Sequence, residues 1–127
     1  MTTGVDTRHL PHAAPIDAYG NGGFRFAGMS HRGSILCLPS GIYAWPPTRA
    51  DDISLDSLQP ALTERDALGL LLIGTGRTGL LPARDLRGGF AELGVVVEAM
   101  DTGAACRTYN VLLAEARPVA AALIAVE

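Results

Sequence analysis

The stretch Val95–Val96–Val97–Glu98–Ala99–Met100, continued by Asp101–Thr102–Gly103–Ala104–Ala105–Cys106–Arg107–Thr108–Tyr109–Asn110–Val111–Leu112–Leu113, decides the reading of this chain. Its opening residues are almost all apolar and partly β-branched, as a strand buried on both faces requires, and the pattern then changes to a helical period. It is a strand, a turn and a helix. Ala105, Tyr109, Leu112 and Ala116 share one helical face, flanked by Cys106 and Leu113, while Arg107, Asn110 and Arg117 fall opposite. The turn therefore carries Asp101, Thr102 and Gly103 to the carboxyl end of a core strand, where open α/β sheets place their ligands.

On the N-terminal side of this stretch, Leu68 to Ile73 reads as another buried strand, and Pro82 to Leu93 as a helix with proline at its start and Gly94 at its end. On the C-terminal side, Pro118 stops the helix and Val119 to Val126 supplies a last strand. The order is β-α-β-α-β, which implies parallel neighbours joined by crossovers. Further upstream the texture is β. Phe24–Arg25–Phe26, Ser34 to Leu38 and Gly41 to Trp45 are short runs punctuated by glycine and proline, read as three antiparallel strands that extend the sheet or add a layer. Trp45–Pro46–Pro47 closes this block, because consecutive prolines cannot donate to a ladder. A polar connector from Thr48 to Ser57 follows, then a short helix from Leu58 to Arg65 with Pro60 in its first turn. Residues 1–15 read as a disordered arm and 16–127 as one domain, for which 127 residues of 48% hydrophobic content suffice.

Composition removes several kinds of chemistry. All ten cationic residues are arginines, so a Schiff-base lysine, a lysine base and a Walker lysine are excluded. The net charge is −3 with the arginines scattered, which is not the footprint of a nucleic-acid binder. Cys37 and Cys106 belong to no CxxC pair, so no zinc knot or thioredoxin motif is available and a reducing, cytoplasmic setting is expected. No run has the length of a signal peptide or a membrane span. Asp51, Asp52 and Asp56 lack a histidine or a further acid nearby and read as a solvated loop; no metal and no cofactor are expected.

Gly74–Thr75–Gly76–Arg77–Thr78–Gly79 matches G-x-G-x-x-G after a strand, with Glu98 near the place of a ribose-binding acid. In the dinucleotide fingerprint the helix begins within the glycines, whereas Leu80–Leu81–Pro82 intervenes here and moves the expected helix start to Pro82. A milder reading keeps the loop and the turn at one sheet edge. There Gly74, Thr75, Gly76, Asp101, Thr102 and Arg107 would offer N–H groups, hydroxyls and a guanidinium to an anion. The structural alternative is that Asp101 or Thr102 simply caps the helix. Cys106, about a turn and a half into that helix, is a candidate nucleophile, but its place beside Tyr109 and Leu113 reads as a buried thiol.

The words Leu71–Leu72–Ile73–Gly74–Thr75–Gly76, Leu81–Pro82, Val95 to Thr102 and Ala104–Ala105–Cys106–Arg107–Thr108–Tyr109–Asn110 resemble a family of unknown function. That family includes the mitochondrial assembly factor 3 of NADH:ubiquinone oxidoreductase (complex I) and bacterial relatives. The resemblance covers roughly Ile16 to Val126 and implies a single three-layer α/β domain with a mixed central sheet and no established enzymatic activity. It implies a non-catalytic protein-binding domain of the assembly-factor kind, with a protein partner and with surface at the Trp45–Pro47 edge or the Arg107 face. Without a targeting presequence, the chain reads as a bacterial cytoplasmic relative. The residues themselves leave a second possibility open: a small-molecule or anion-binding domain with its site at the carboxyl ends of the strands ending at Ile73 and Met100.

Overall fold

The computed structural model describes residues 8–78 and 85–127. Its strands are β1 (Arg8–Leu10), β2 (Ala18–Gly20), β3 (Gly23–Phe26), β4 (Met29–Arg32), β5 (Ile35–Leu38), β6 (Gly41–Ala44), β7 (Leu70–Gly74), β8 (Val96–Met100) and β9 (Val119–Leu123). Its helices are α1 (Gln59–Thr63), α2 (Asp85–Ala91) and α3 (Thr102–Ala114). The main sheet has six strands in the order β1-β6-β5-β9-β7-β8, and β2-β3-β4 form a separate antiparallel sheet. β7 runs parallel to both β8 and β9, whereas β5 runs antiparallel to β9 and β6, so the sheet is mixed.

Both outcomes left open for the N-terminal strands occur. β5 and β6 extend the sheet, while β2, β3 and β4 add a layer. More strands form here than the three expected, because Ala18–Gly20 and Met29–Arg32 pair with β3 through tight turns rather than through apolar runs of their own. Residues 8–10, placed in the expected arm, pair with β6, and Ala14 is buried; residues 1–7 lie outside the described residues.

Period-two alternation splits the core in two. Leu36, Leu38, Leu71, Ile73, Ala120 and Ala122 face a cluster with Leu58, Ala61, Leu86 and Phe90, beneath α1 and α2. Ile35, Cys37, Leu72, Ala121 and Leu123 face the opposite way, toward Ala105, Cys106 and Tyr109 of α3 and Phe24 and Phe26 of β3. This makes three layers. Asn110, expected on the outer face of its helix, instead bonds both Ile16 N and Ile16 O at 2.8 Å and ties the chain entering β2 to α3.

β8 departs from the sequence reading. It is an outer strand of the sheet and is buried on one face only: Val97 is 5% exposed and Val96 55%. The run of valines resembles a central strand because Val95 and Val97 both pack beneath α2. The expected helix start at Pro82 falls outside the described residues, and α2 is described from Asp85. At the other end of α3 the stop is a Schellman closure with Ala116, not glycine, in the left-handed conformation (φ 57), where Arg117 N donates to Leu112 O and Ala116 N to Leu113 O.

Candidate functional site

The register of the parallel strands sets Gly74 opposite both Met100 and Leu123, so the carboxyl ends of β7, β8 and β9 arrive together. Thr75 donates to Met100 O from its backbone N–H (2.9 Å) and from its hydroxyl (3.2 Å). Thr102 N donates to Gly76 O at 2.8 Å, and Gly76 N returns a bond to Thr102 Oγ1 at 3.0 Å. The same hydroxyl donates to Ile124 O at 2.7 Å, while Ile124 N donates to Gly74 O at 2.9 Å. Thr102 is fully buried, so one side chain joins the start of α3 to the ends of β7 and β9. Asp101 accepts from Ala104 N at 2.9 Å and caps α3.

Five of the six residues expected to form an anion site are thus gathered, but they are bonded to one another. The N–H groups of Thr75, Gly76, Thr102 and Ala104 are each donated within the protein. Gly74 itself is closely packed: a β-carbon on it would stand 3.0 Å from Leu123 Cδ2 and from Thr102 Cα. Arg107 stands apart on the exposed side of α3, its guanidinium over Gly103 beside the Tyr19 ring. The described part of the glycine motif does not open a helix. Gly76 takes φ +90 in a turn, and Glu98 points outward from β8.

The two thiols are buried in the α3-side core. Burial pushes Cys106 up from 9.0 to about 12, with Arg107 lowering it only secondarily. Cys37 is also raised, by burial and then by Cys106. A raised thiol is the reverse of an activated nucleophile, so the nucleophile reading of Cys106 gives way to the buried-thiol one.

Of the open hollows, two bear on these residues. The first, about 510 Å³, is floored by Trp45 and Leu36 and rimmed by Pro46, Pro60 and His31. Trp45 is 4% exposed and fixed by its indole N–H, which donates to Ser57 O at 2.7 Å. The sequence marks this edge through Trp45–Pro46–Pro47, but not the contribution of β4 and α1, which only folding brings alongside. The second, about 530 Å³, lies at the ends of β7 and β9 between Arg49, Asp51, Thr75, Gly76, Arg77 and Glu127. It is polar but internally paired. Arg49 meets Asp51 at 2.8 Å, and Arg77 donates to Glu127 O at 3.0 Å. Among the described residues no three His, Cys, Asp or Glu side chains converge as metal ligands, and no helix is long and apolar enough to cross a membrane.

These features define a three-layer α/β protein built on a mixed sheet whose strand ends are locked by side-chain hydrogen bonds. The chain belongs to the family described as "Protein of unknown function (DUF498/DUF598)", whose profile matches residues 16–124. It is 41% identical over 112 residues to an uncharacterised protein of Rhodobacter capsulatus, covering 88% of this chain and 85% of that one. It is 33% identical over 118 residues to NADH dehydrogenase [ubiquinone] 1 alpha subcomplex assembly factor 3 of Homo sapiens. That alignment takes in 92% of this chain but 64% of the human protein, so the chain spans just under two thirds of it. A crystal structure described as an outer membrane protein from Bartonella henselae superposes with a TM-score of 0.90 at 54% identity, over 94% of this chain and 100% of that one.

Thr102→Val removes the donor to Ile124 O and the acceptor of Gly76 N in a fully buried position. It should cost about 2–4 kcal/mol in urea unfolding, against about 1 kcal/mol for Thr102→Ser, which keeps the hydroxyl. The thiols carry a pH signature. Because the folded value of Cys106 is raised from 9.0 to about 12, its contribution to stability is complete below the unfolded thiol value and is lost as pH rises toward the folded one. The unfolding midpoint should therefore fall above pH ~9 and fall less in Cys106→Ala, as followed by circular dichroism.

Proposed function

We propose that this chain is a non-catalytic protein-binding domain that serves as an assembly factor for a respiratory membrane complex, and that it grips its partner through the Trp45 groove. The open apolar groove carries the reading. A large aromatic side chain held by a hydrogen bond and rimmed by two prolines is a preformed anchor pocket, the kind of feature in which interface energy concentrates. Its kinship with assembly factor 3 supplies the role. Proline rims lose little conformational freedom on binding, so more of the contact energy remains as affinity. Pro46 lines the groove and is exposed, so Pro46→Arg crowds its rim without reaching the buried floor. Affinity capture from native membranes should recover a stoichiometric protein with the natural chain and lose it with Pro46→Arg, whose melting temperature stays close to the natural one. Recovery of no stoichiometric protein would overturn the reading.

A second reading, a small-molecule or anion-binding domain, is favoured by one observation: the polar hollow at the ends of β7 and β9 contains Thr75, Gly76 and Arg77 with Arg49 across from them. Inorganic phosphate, nucleotides and small carboxylates can be screened by thermal shift. A true ligand at about 100 times its dissociation constant stabilises by about 2.7 kcal/mol, and that shift should vanish in Arg77→Ala.

A further inference from the structure

Among the described residues β8 is hydrogen-bonded to β7 alone, which leaves its outer side without a neighbouring strand. Val96 N donates to Gly69 O at 3.0 Å, and Met100 O accepts from Thr75 N at 2.9 Å. These bonds turn the backbone groups of Val96, Glu98 and Met100 toward β7. By strand alternation the N–H and C=O groups of Val97 and Ala99 point outward.

Apart from the charge of Glu98, the usual protections of an edge are absent from this strand. Val96–Met100 contains no proline and no lysine, and its register with β7 runs without a bulge. The α3 face of the edge is also uncovered, because α3 packs on β7 and β9 and reaches β8 only marginally. Val96 therefore stays 55% exposed and lines a hollow of about 320 Å³ with Leu70, Leu112 and Pro118. Leu93, 43% exposed, stands at the entry to the strand.

We propose that the β8 edge accepts an extended segment of a partner protein as a further strand, with an arginine or lysine opposite Glu98 and apolar residues two positions to either side. Main-chain bonds to Val97 and Ala99 would supply the attachment, and the row Val96, Glu98, Met100 would supply the selectivity. Charge decides against a second copy of this chain. Antiparallel pairing that uses the outward groups of both residues in each copy sets Val97 against Ala99, and so places Glu98 directly opposite its counterpart, a repulsive arrangement. A shift of two residues brings Val95 or Asp101 into the ladder. Val95 N is already donated to Phe90 O, and Asp101 O already accepts from Ala105 N. Copy-to-copy pairing is left with fewer bonds or with facing carboxylates.

This edge adds a second surface to the protein-binding reading, and the test separates the two. The probe is an acetylated and amidated peptide alternating threonine with serine, valine, lysine, valine and serine in that order; its control replaces the lysine with glutamate. Amide exchange and titration by NMR should show the lysine peptide slowing exchange at Val97 and Ala99 and binding about fivefold more tightly than the glutamate peptide. Glu98→Lys should reverse the preference, and Pro46→Arg should leave it unchanged. No protection at Val97 and Ala99, or a preference that survives Glu98→Lys, overturns the proposal. Protection that instead grows with protein concentration alone, with sedimentation as a dimer, assigns the edge to a second copy and also overturns it. Partner capture abolished by Pro46→Arg while the peptide preference is absent would leave the groove reading standing without the edge.

Discussion

The buried hydroxyl of Thr102 holds together the part of the molecule on which the rest depends. It accepts from Gly76 N and donates to Ile124 O, while its own backbone N–H closes on Gly76 O. Three segments distant in sequence are thereby fixed at one point: the loop after β7, the first residue of α3 and the chain leaving β9. A hydroxyl suits this position because it both donates and accepts from one atom, and the surroundings leave no water to replace either bond. Gly74 is part of the same constraint, since a β-carbon there would press on Thr102 and Leu123 at 3.0 Å. The words that the sequence places at a candidate ligand site are, in the fold, a lock between strands and helix.

That corner is bonded internally, and other surfaces open to a partner lie elsewhere in the fold. β7 is covered on both faces and flanked by β8 and β9, so it organises the core and presents nothing. The groove floored by Trp45 and the outer side of β8 lie toward opposite ends of the sheet. One offers apolar shape and the other offers main-chain hydrogen bonds. For the proposed protein-binding role, two modest surfaces can serve in place of one large one, since effective concentration strengthens paired contacts without making either permanent.

The site was only partly legible in the sequence. Asp101 as a cap followed from an acid placed just before a helical period, which is a local signal. That Thr75 and Thr102 would point inward did not, because a threonine in a glycine-rich loop has the same local signature whether it faces a ligand or a neighbouring carbonyl. Asn110 misled for a related reason. The helical wheel puts it opposite Leu112, but a segment from the N-terminal part of the chain crosses there and takes both of its hydrogen bonds. Cys106 was read from its wheel position as a core thiol, and in the fold it is buried among the apolar residues of the α3-side core.

By itself the sequence determined the elements of the C-terminal half, since apolar period and proline and glycine punctuation act over a few residues. β7, β8, α3 and β9 appear within a few residues of where the pattern puts them, as does the alternation that divides the core between two faces. Only the tertiary structure decided the order of the strands and what lies at their ends. The valine run of β8 carries no local mark of an edge strand, because its burial on one side comes from α2 and its exposure on the other from where α3 happens to lie. Strand order is set by which apolar faces can be covered at once, and that sum runs over the whole chain.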